Sequence, residues 1–263
     1  MGEHMIRKLS YRNHFQVMDM LLEEEEMNDK IIDCINYHGY DFSECKVYGD
    51  FDEIFRLRGM FLINKDECMV YYRDNIGNDL LKRLKMINNI KCISGKKECV
   101  EAIQEVLKDY KIWDTTLAVL CEDKTIGYSE ENIERVKEED YKEMYEYYIN
   151  VFKDKIKFTE ENVRDIYMNN YAIAYCIKKH GQIISSAEFY NSLTQYMTIM
   201  GVGTIEEYRR MGYSQRCVAK VCREIIKFGK TPMLRWEREE AGKLYKKLGF
   251  QDIGCYRVCT KKA

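Results

Sequence analysis

The residues best suited to chemistry lie in one stretch, Val202-Gly203-Thr204-Ile205-Glu206-Glu207-Tyr208-Arg209-Arg210-Met211-Gly212-Tyr213-Ser214. An apolar strand ends there, a short loop crosses over, and a long helix opens at a glycine. The first N–H groups of a helix have no intrahelical partner, and the helix dipole turns its positive end toward them. A glycine at that point lets an anion or another backbone approach without a Cβ in the way. The pattern is a cradle for a diphosphate, with Arg209 and Arg210 adding charge. Taken alone, it is equally an ordinary strand–helix turn with solvated arginines.

The elements around the stretch must position it. Val218, Val221, Cys222, Ile225 and Phe228 form the apolar stripe of the following helix, expected over Gly212–Phe228. Arg216, Lys220, Arg223 and Lys227 fall on its other faces as a wet surface, with Arg216 near enough to the helix start to meet a ligand phosphate. Pro232 precedes a strand at Met233–Trp236, where its missing donor costs little. Ala241, Leu244, Tyr245 and Leu248 then recur at helical spacing, Gly249-Phe250 closes that helix, and a strand pair is expected beyond Phe250. Upstream, a strand at Ile133–Val136 leads to helices over Asp140–Phe152 and from a Thr159-Glu160-Glu161 cap to about Asn169. Strands Ala172–Lys178 and Ile183–Tyr190 flank Lys179-His180-Gly181-Gln182, a hairpin signature, and Tyr196–Gly203 is a third strand.

The first half has the same order. A strand at Ile6–Leu9 precedes helices over Phe15–Glu25 and Lys30–Tyr37, the second ending at Gly39. Strands follow at Cys45–Tyr48, Ile54–Ile63 and Cys68–Tyr72, then a helix over Asp79–Met86, a strand at Ile90–Ile93, a helix over Lys96–Tyr110 and a strand at Thr116–Leu120. Residues Glu122–Glu131 lack apolar periodicity and mark the junction. The chain thus divides into 5–121 and 128–263, a repeat of topology without evident sequence identity. Met1-Gly2-Glu3-His4 is set aside as a cloning remnant.

With these elements in place, residues about 130–263 resemble the GNAT superfamily of N-acetyltransferases. Arg209-Arg210-Met211-Gly212-Tyr213-Ser214 is similar to the family's acetyl-CoA loop, Arg/Gln-x-x-Gly-x-Gly/Ala. Ala241-Gly242-Lys243-Leu244-Tyr245-Lys246-Lys247-Leu248-Gly249-Phe250 is similar to its later Ala-x-x-x-Tyr and Lys-x-Gly-Phe signature. The resemblance implies an α/β (α+β) protein of tandem GNAT-like domains, the first divergent, each with a central mixed, mostly antiparallel sheet flanked by helices. It implies that acetyl-CoA (coenzyme A) is the co-substrate. Main-chain amides of Arg209, Arg210, Met211, Gly212, Tyr213, Ser214 and Gln215 would hold its diphosphate, with the strand through Val202 and Thr204 beside the pantetheine arm. Amides near Val202 would stabilise the developing oxyanion. Tyr245 would protonate the departing thiolate after direct attack by a primary amine.

Three departures stand beside the match. Ser214 replaces the final Gly or Ala, and Arg238 replaces an asparagine common three residues before Ala241. No carboxylate lies on the Tyr196–Gly203 strand, where some members place a general base. Glu188 on the neighbouring strand is one substitute and Glu237 another; a solvated surface glutamate is the plainer reading of each, and water can also carry the proton. In the first half the corresponding crossover, Tyr72 to Leu80, has Gly77 but lacks the loop spacing, and Asp74 and Asp79 would repel a diphosphate. That half is expected to shape the acceptor pocket or the domain interface without binding coenzyme A.

Composition excludes other classes. In 263 residues, 42 Lys and Arg oppose 44 Asp and Glu, a balance unsuited to a broad nucleic-acid clamp. Hydrophobic residues at 46% and aromatics at 13% supply cores and exclude disorder. No apolar run approaches the ~20 residues of a membrane helix. Eleven cysteines without a Cys-x-x-Cys pair or a secretory signal suit a reducing cytoplasm, most of them as small buried hydrophobes. His14, His38 and His180 are scattered without carboxylates at metal spacing, so no metal is expected. The acidic run Glu23–Glu26 is a solvated helix end or an attraction for a cationic partner. The expected function is acetyl transfer to a small-molecule or peptide amine, with no nucleic-acid or membrane partner and a homodimer allowed. A non-catalytic acyl-CoA-binding or interaction protein on the same fold is the alternative.

Overall fold

The computed structural model describes residues 5–40, 45–73, 78–87, 89–153 and 159–262. Two compact units divide the chain: Met1–Leu117 with Ile253–Ala263, and Ala118–Asp252. The last eleven residues therefore count with the first unit, whereas the sequence boundary at 122–131 assigns them to the second.

The first unit contains β1 (Met5–Lys8), α1 (His14–Leu21), α2 (Glu25–His38), β2 (Cys45–Phe51), β3 (Leu57–Asn64), β4 (Glu67–Tyr72), α3 (Asn78–Lys85), β5 (Cys92–Lys96), α4 (Lys97–Glu101) and most of β6 (Tyr110–Leu120). Strands β1 to β4 are antiparallel neighbours and β4 pairs with β5 in parallel. In the second unit come β7 (Ile133–Arg135), α5 (Tyr141–Phe152), α6 (Glu160–Met168), β8 (Ala172–Lys179), β9 (Gln182–Tyr190), β10 (Tyr196–Thr204), α7 (Tyr213–Lys227), β11 (Thr231–Trp236) and α8 (Glu239–Leu248). Here β7 to β10 are antiparallel neighbours and β10 pairs with β11 in parallel. The element order and the pairing pattern both occur twice, as the sequence order implies. Each unit has its own apolar core.

Local chemistry accounts for several elements. Thr159 caps α6 by accepting from the Asn162 N–H at 3.3 Å, while Asn162 Oδ1 accepts from the Thr159 N–H at 3.0 Å. The β8–β9 hairpin turns on two left-handed residues, His180 at φ 52° and Gly181 at φ 79°. Eight of the eleven cysteines are buried, as small apolar side chains. Among the described residues no helix is long and apolar enough to cross a membrane.

Some expectations change. The helix expected over Lys96–Tyr110 ends at Glu101, and β6 begins at Tyr110, where Ile112, Trp113, Thr115 and Thr116 favour a strand. The segment beyond Phe250 is one strand, β12 (Phe250–Lys261), because Gly254 stays out of the left-handed region and supplies no turn. From Tyr256 to Thr260, β12 runs antiparallel to β5. Pro232 lies inside β11, opposite Met197. Phe228 falls past the end of α7 and is exposed; Cys217 and Ala219 join Val218, Val221, Cys222 and Ile225 in its buried face. The acidic run near α2 serves internal cations: Glu23 pairs with Arg73 and Glu24 with Lys96. Residues 74–77, which carry the glycine and Asp74 of the first crossover, lie outside the described residues.

Candidate active site

Strand β10 carries the site's first feature. It pairs with β11 only from Tyr196–Ile199 to Thr231–Leu234, although both strands continue. Against β9 its register slips between Met200 and Gly203, with Gly201 at φ 60°. This bulge holds one residue more than the partner strand, so the backbone of β10 turns just where it leaves β11. Gly201 suits the position twice over. Its φ favours glycine, and a Cβ there would come to 2.9 Å from Glu188 Oε1.

The end of β10 is tied to the start of α7 by hydroxyls. Ser185 Oγ donates to the Gly203 carbonyl at 2.7 Å and lies 2.9 Å from Thr204 Oγ1. Thr204 Oγ1 lies 2.6 Å from Ser214 Oγ. Arg209 Nε donates to the Thr204 carbonyl at 3.2 Å, which pins the first arginine of the loop. Arg210 and Gly212 both adopt left-handed backbone, at φ 63° and 79°. Gly212 is the N-cap of α7, so no side chain reaches its free N–H groups, and space around the absent Cβ is open. Met211 and Gly212 are exposed. The Lys179 ammonium sits 5.2 Å from the Tyr208 ring centroid and 5.0 Å from that of Tyr213.

The cations further along α7 are structural. Arg216 donates to the carbonyls of Ser129 and Glu131, so its Nε and Nη2 are engaged within the protein. The Gln215 side chain donates to the Tyr128 hydroxyl. Lys220 and Arg223 both pair with Glu130, and Arg223 also donates to the carbonyls of Thr125 and Tyr128. The unpatterned junction is thus strapped to α7 by its side chains.

Glu188 is 6% exposed, not a surface glutamate. Its Oε2 accepts from the hydroxyls of Tyr148, at 2.6 Å, and Tyr167. Those two hydroxyls lie 2.7 Å apart. Burial pushes the Glu188 carboxyl up, while the two tyrosine hydrogen bonds oppose that rise. Burial also raises the hydroxyls of Tyr148 and Tyr167, and the negative carboxylate adds to it. Glu237 is exposed. Tyr245 is 7% exposed on α8, edge-on to Phe250, and burial, followed by Cys222, pushes its hydroxyl up to about 12. It is therefore protonated at neutral pH. Arg238 is the N-cap of α8 and makes no side-chain cap.

A separate cavity of about 440 Å³ lies where α6 meets β8, against Tyr141, Tyr167, Ala172 and Ala174. It includes no residue of the loop at Gly212 and touches the Glu188 network through Tyr167. Sequence reasoning missed Tyr148, Tyr167, Ser185 and Gly201. The tyrosines have the spacing of core positions, and only the glycine, in a strand, carries a local signal of a bulge.

No curated protein matches the chain. Among solved structures, a Drosophila protein is similar over 99% of each chain, with a TM-score of 0.70 and 13% identity. A GCN5-related N-acetyltransferase from Sphaerobacter thermophilus is similar over 98% of this chain and 95% of its own, with a TM-score of 0.66 and 13% identity. A tandem GNAT protein from the clavulanic acid biosynthesis pathway is similar over 98% of each chain, with a TM-score of 0.64 and 11% identity. At such identities the likeness is one of fold. A family model described as GNAT acetyltransferase matches residues 77–259, more than half of the sequence. The chain belongs to the GNAT acetyltransferase family.

Proposed function

We propose that the second unit is an acetyl-CoA-dependent N-acetyltransferase acting by direct attack of a primary amine. The observation that carries this reading is the open start of α7: a left-handed Gly212 with no capping side chain, beside Arg209 and Arg210. A diphosphate suits such a start, since free N–H groups, the helix dipole and two guanidinium groups all favour an anion. Main-chain groups from Arg209 to Gln215 would hold it. The parting of β10 and β11 leaves main-chain groups around Val202 without a β11 partner among the described residues, open to the pantetheine arm.

Acetyl-CoA bound there would supply the acyl group. Tyr245, protonated at neutral pH, is suited to give a proton to the departing thiolate. Glu188, beside the bulge at Gly201, is suited to take one from the attacking amine. Amides in the bulge around Val202 would face the charge that develops on the carbonyl oxygen. Incubating the intact chain with acetyl-CoA and a panel of amines, and following free thiol, tests the reading. Amine-dependent thiol release that collapses in Tyr245→Phe supports it. Tight coenzyme binding with no turnover on any amine, and no effect of that variant, would instead favour a non-catalytic acyl-CoA-binding protein.

A further inference from the structure

A buried carboxylate needs a counter-charge, hydrogen bonds or a proton. Glu188 has hydrogen bonds on one oxygen only: both tyrosine hydroxyls reach Oε2. Among the described residues, Oε1 accepts no hydrogen bond, and it lies against Gly201 in the β10 bulge. No Lys, Arg or His among the described residues contributes to the electrostatics of this carboxyl, which is set by burial and the two tyrosines.

The titratable groups that face Glu188 are aromatic hydroxyls. Tyr147 and Tyr148 come from α5, Tyr167 from α6 and Tyr190 from β9 itself. Phe152 extends the same wall, its ring centroid 5.8 Å from that of Tyr148. One carboxyl oxygen with no hydrogen bond among the described residues, on a side chain surrounded by tyrosines of α5, α6 and β9, is a setting for a single positive charge attached to apolar material. It offers nothing to a ligand's own carboxylate, and a second ammonium would meet no second anion.

On the reading that this unit acetylates an amine, we propose that its acceptor is a primary monoamine with an apolar body, whose ammonium is held by Glu188 Oε1. Tyr148 and Tyr167 are positioning residues. They hold Oε2, leave Oε1 against the bulge and favour the charged form of the carboxyl against the cost of burial.

The test is calorimetric binding of phenethylamine, phenylalanine and spermidine to the intact chain, alone and with coenzyme A. Phenylalanine adds only a carboxylate to phenethylamine, and spermidine adds charges without an apolar body. Phenethylamine should bind at least about tenfold more tightly than either, and the isosteric Glu188→Gln should remove about tenfold or more of that affinity. In Tyr167→Phe and Tyr148→Phe, a carboxyl deprived of a donor titrates higher, so phenethylamine binding should be lost at a higher pH than in the parent. A general loss of packing would lower affinity at every pH without moving that midpoint. Equal or tighter binding of phenylalanine or spermidine, or unchanged phenethylamine binding in Glu188→Gln, overturns the proposal. Heat with coenzyme A in the same samples separates the two levels: it leaves the coenzyme reading standing when the amine preference fails, and its absence removes that reading instead.

Discussion

Thr204 Oγ1 lies 2.6 Å from Ser214 Oγ, joining the last residue of β10 to the first turn of α7. With Ser185 behind Thr204, three hydroxyls fix the crossover between strand and helix. The Ser214 hydroxyl is therefore engaged inside the protein, and the main chain with the flanking arginines is what the loop offers an anion. Ser214→Ala should cost about 1 kcal/mol of stability while changing coenzyme A affinity by less than about threefold. Melting curves and titration calorimetry on one sample measure both. A large loss of affinity would show that the hydroxyl itself meets the ligand.

Gly212→Ala meets no steric obstacle, because nothing lies within 4 Å of the added Cβ. Its penalty is conformational: at φ 79° an L side chain costs roughly 1–2 kcal/mol. The loop should relax away from this geometry, weakening coenzyme A binding about tenfold or more. Unchanged affinity would mean that the left-handed N-cap is dispensable.

Tyr245→Phe should leave coenzyme A affinity intact and lower kcat by about a hundredfold or more. Since burial pushes the hydroxyl up to about 12, it stays protonated through the usual assay range. Its titration should therefore cause no alkaline loss of kcat below about pH 10, because the acid form persists well below its pKa. A fall of kcat near pH 8 that disappears in the phenylalanine variant would refute the assignment.

Asp114 and Arg257 form a bidentate pair at 2.6 and 2.9 Å in the first unit. The Arg257 hydrogen bonds, joined by Lys97 and opposed by burial, hold the Asp114 carboxyl at about 2. A pKa depressed on folding contributes stability in full above the unfolded value of ~3.9, and that contribution is lost as pH falls toward the folded value. Asp114→Asn should lower stability at neutral pH by about 1 kcal/mol, a figure discounted because the Asp114 side chain is 32% exposed. It should also flatten the stability profile between about pH 4 and 2, which denaturant titrations across that range measure.

The opening of α7 was legible because a glycine, an apolar stripe and flanking arginines are all local signals. The repeated element order was legible for the same reason, since periodicity changes from strand to helix at each junction. Glu188 was not. Strand β9 is buried along nearly all of its length, with α5 and α7 packed against it, so inside and outside positions do not alternate in polarity. A glutamate there has the sequence context of a surface residue until Tyr148 and Tyr167 arrive from two helices. Arg216 shows the converse: its spacing points to a phosphate, but its partners are carbonyls 85 and 87 residues away along the chain. No local pattern carries such contacts. The C-terminal strand likewise depends on pairing with β5, a partner far away in sequence.

Titration of the intact chain with coenzyme A, beside Gly212→Ala and an Arg209→Ala, Arg210→Ala double variant, tests the central claim most directly. The account predicts saturable binding by the parent chain that weakens in both variants, with the ligand's phosphates placed over Gly212 to Gln215 in a complex structure. Absence of heat from the parent, or phosphates bound elsewhere, contradicts it.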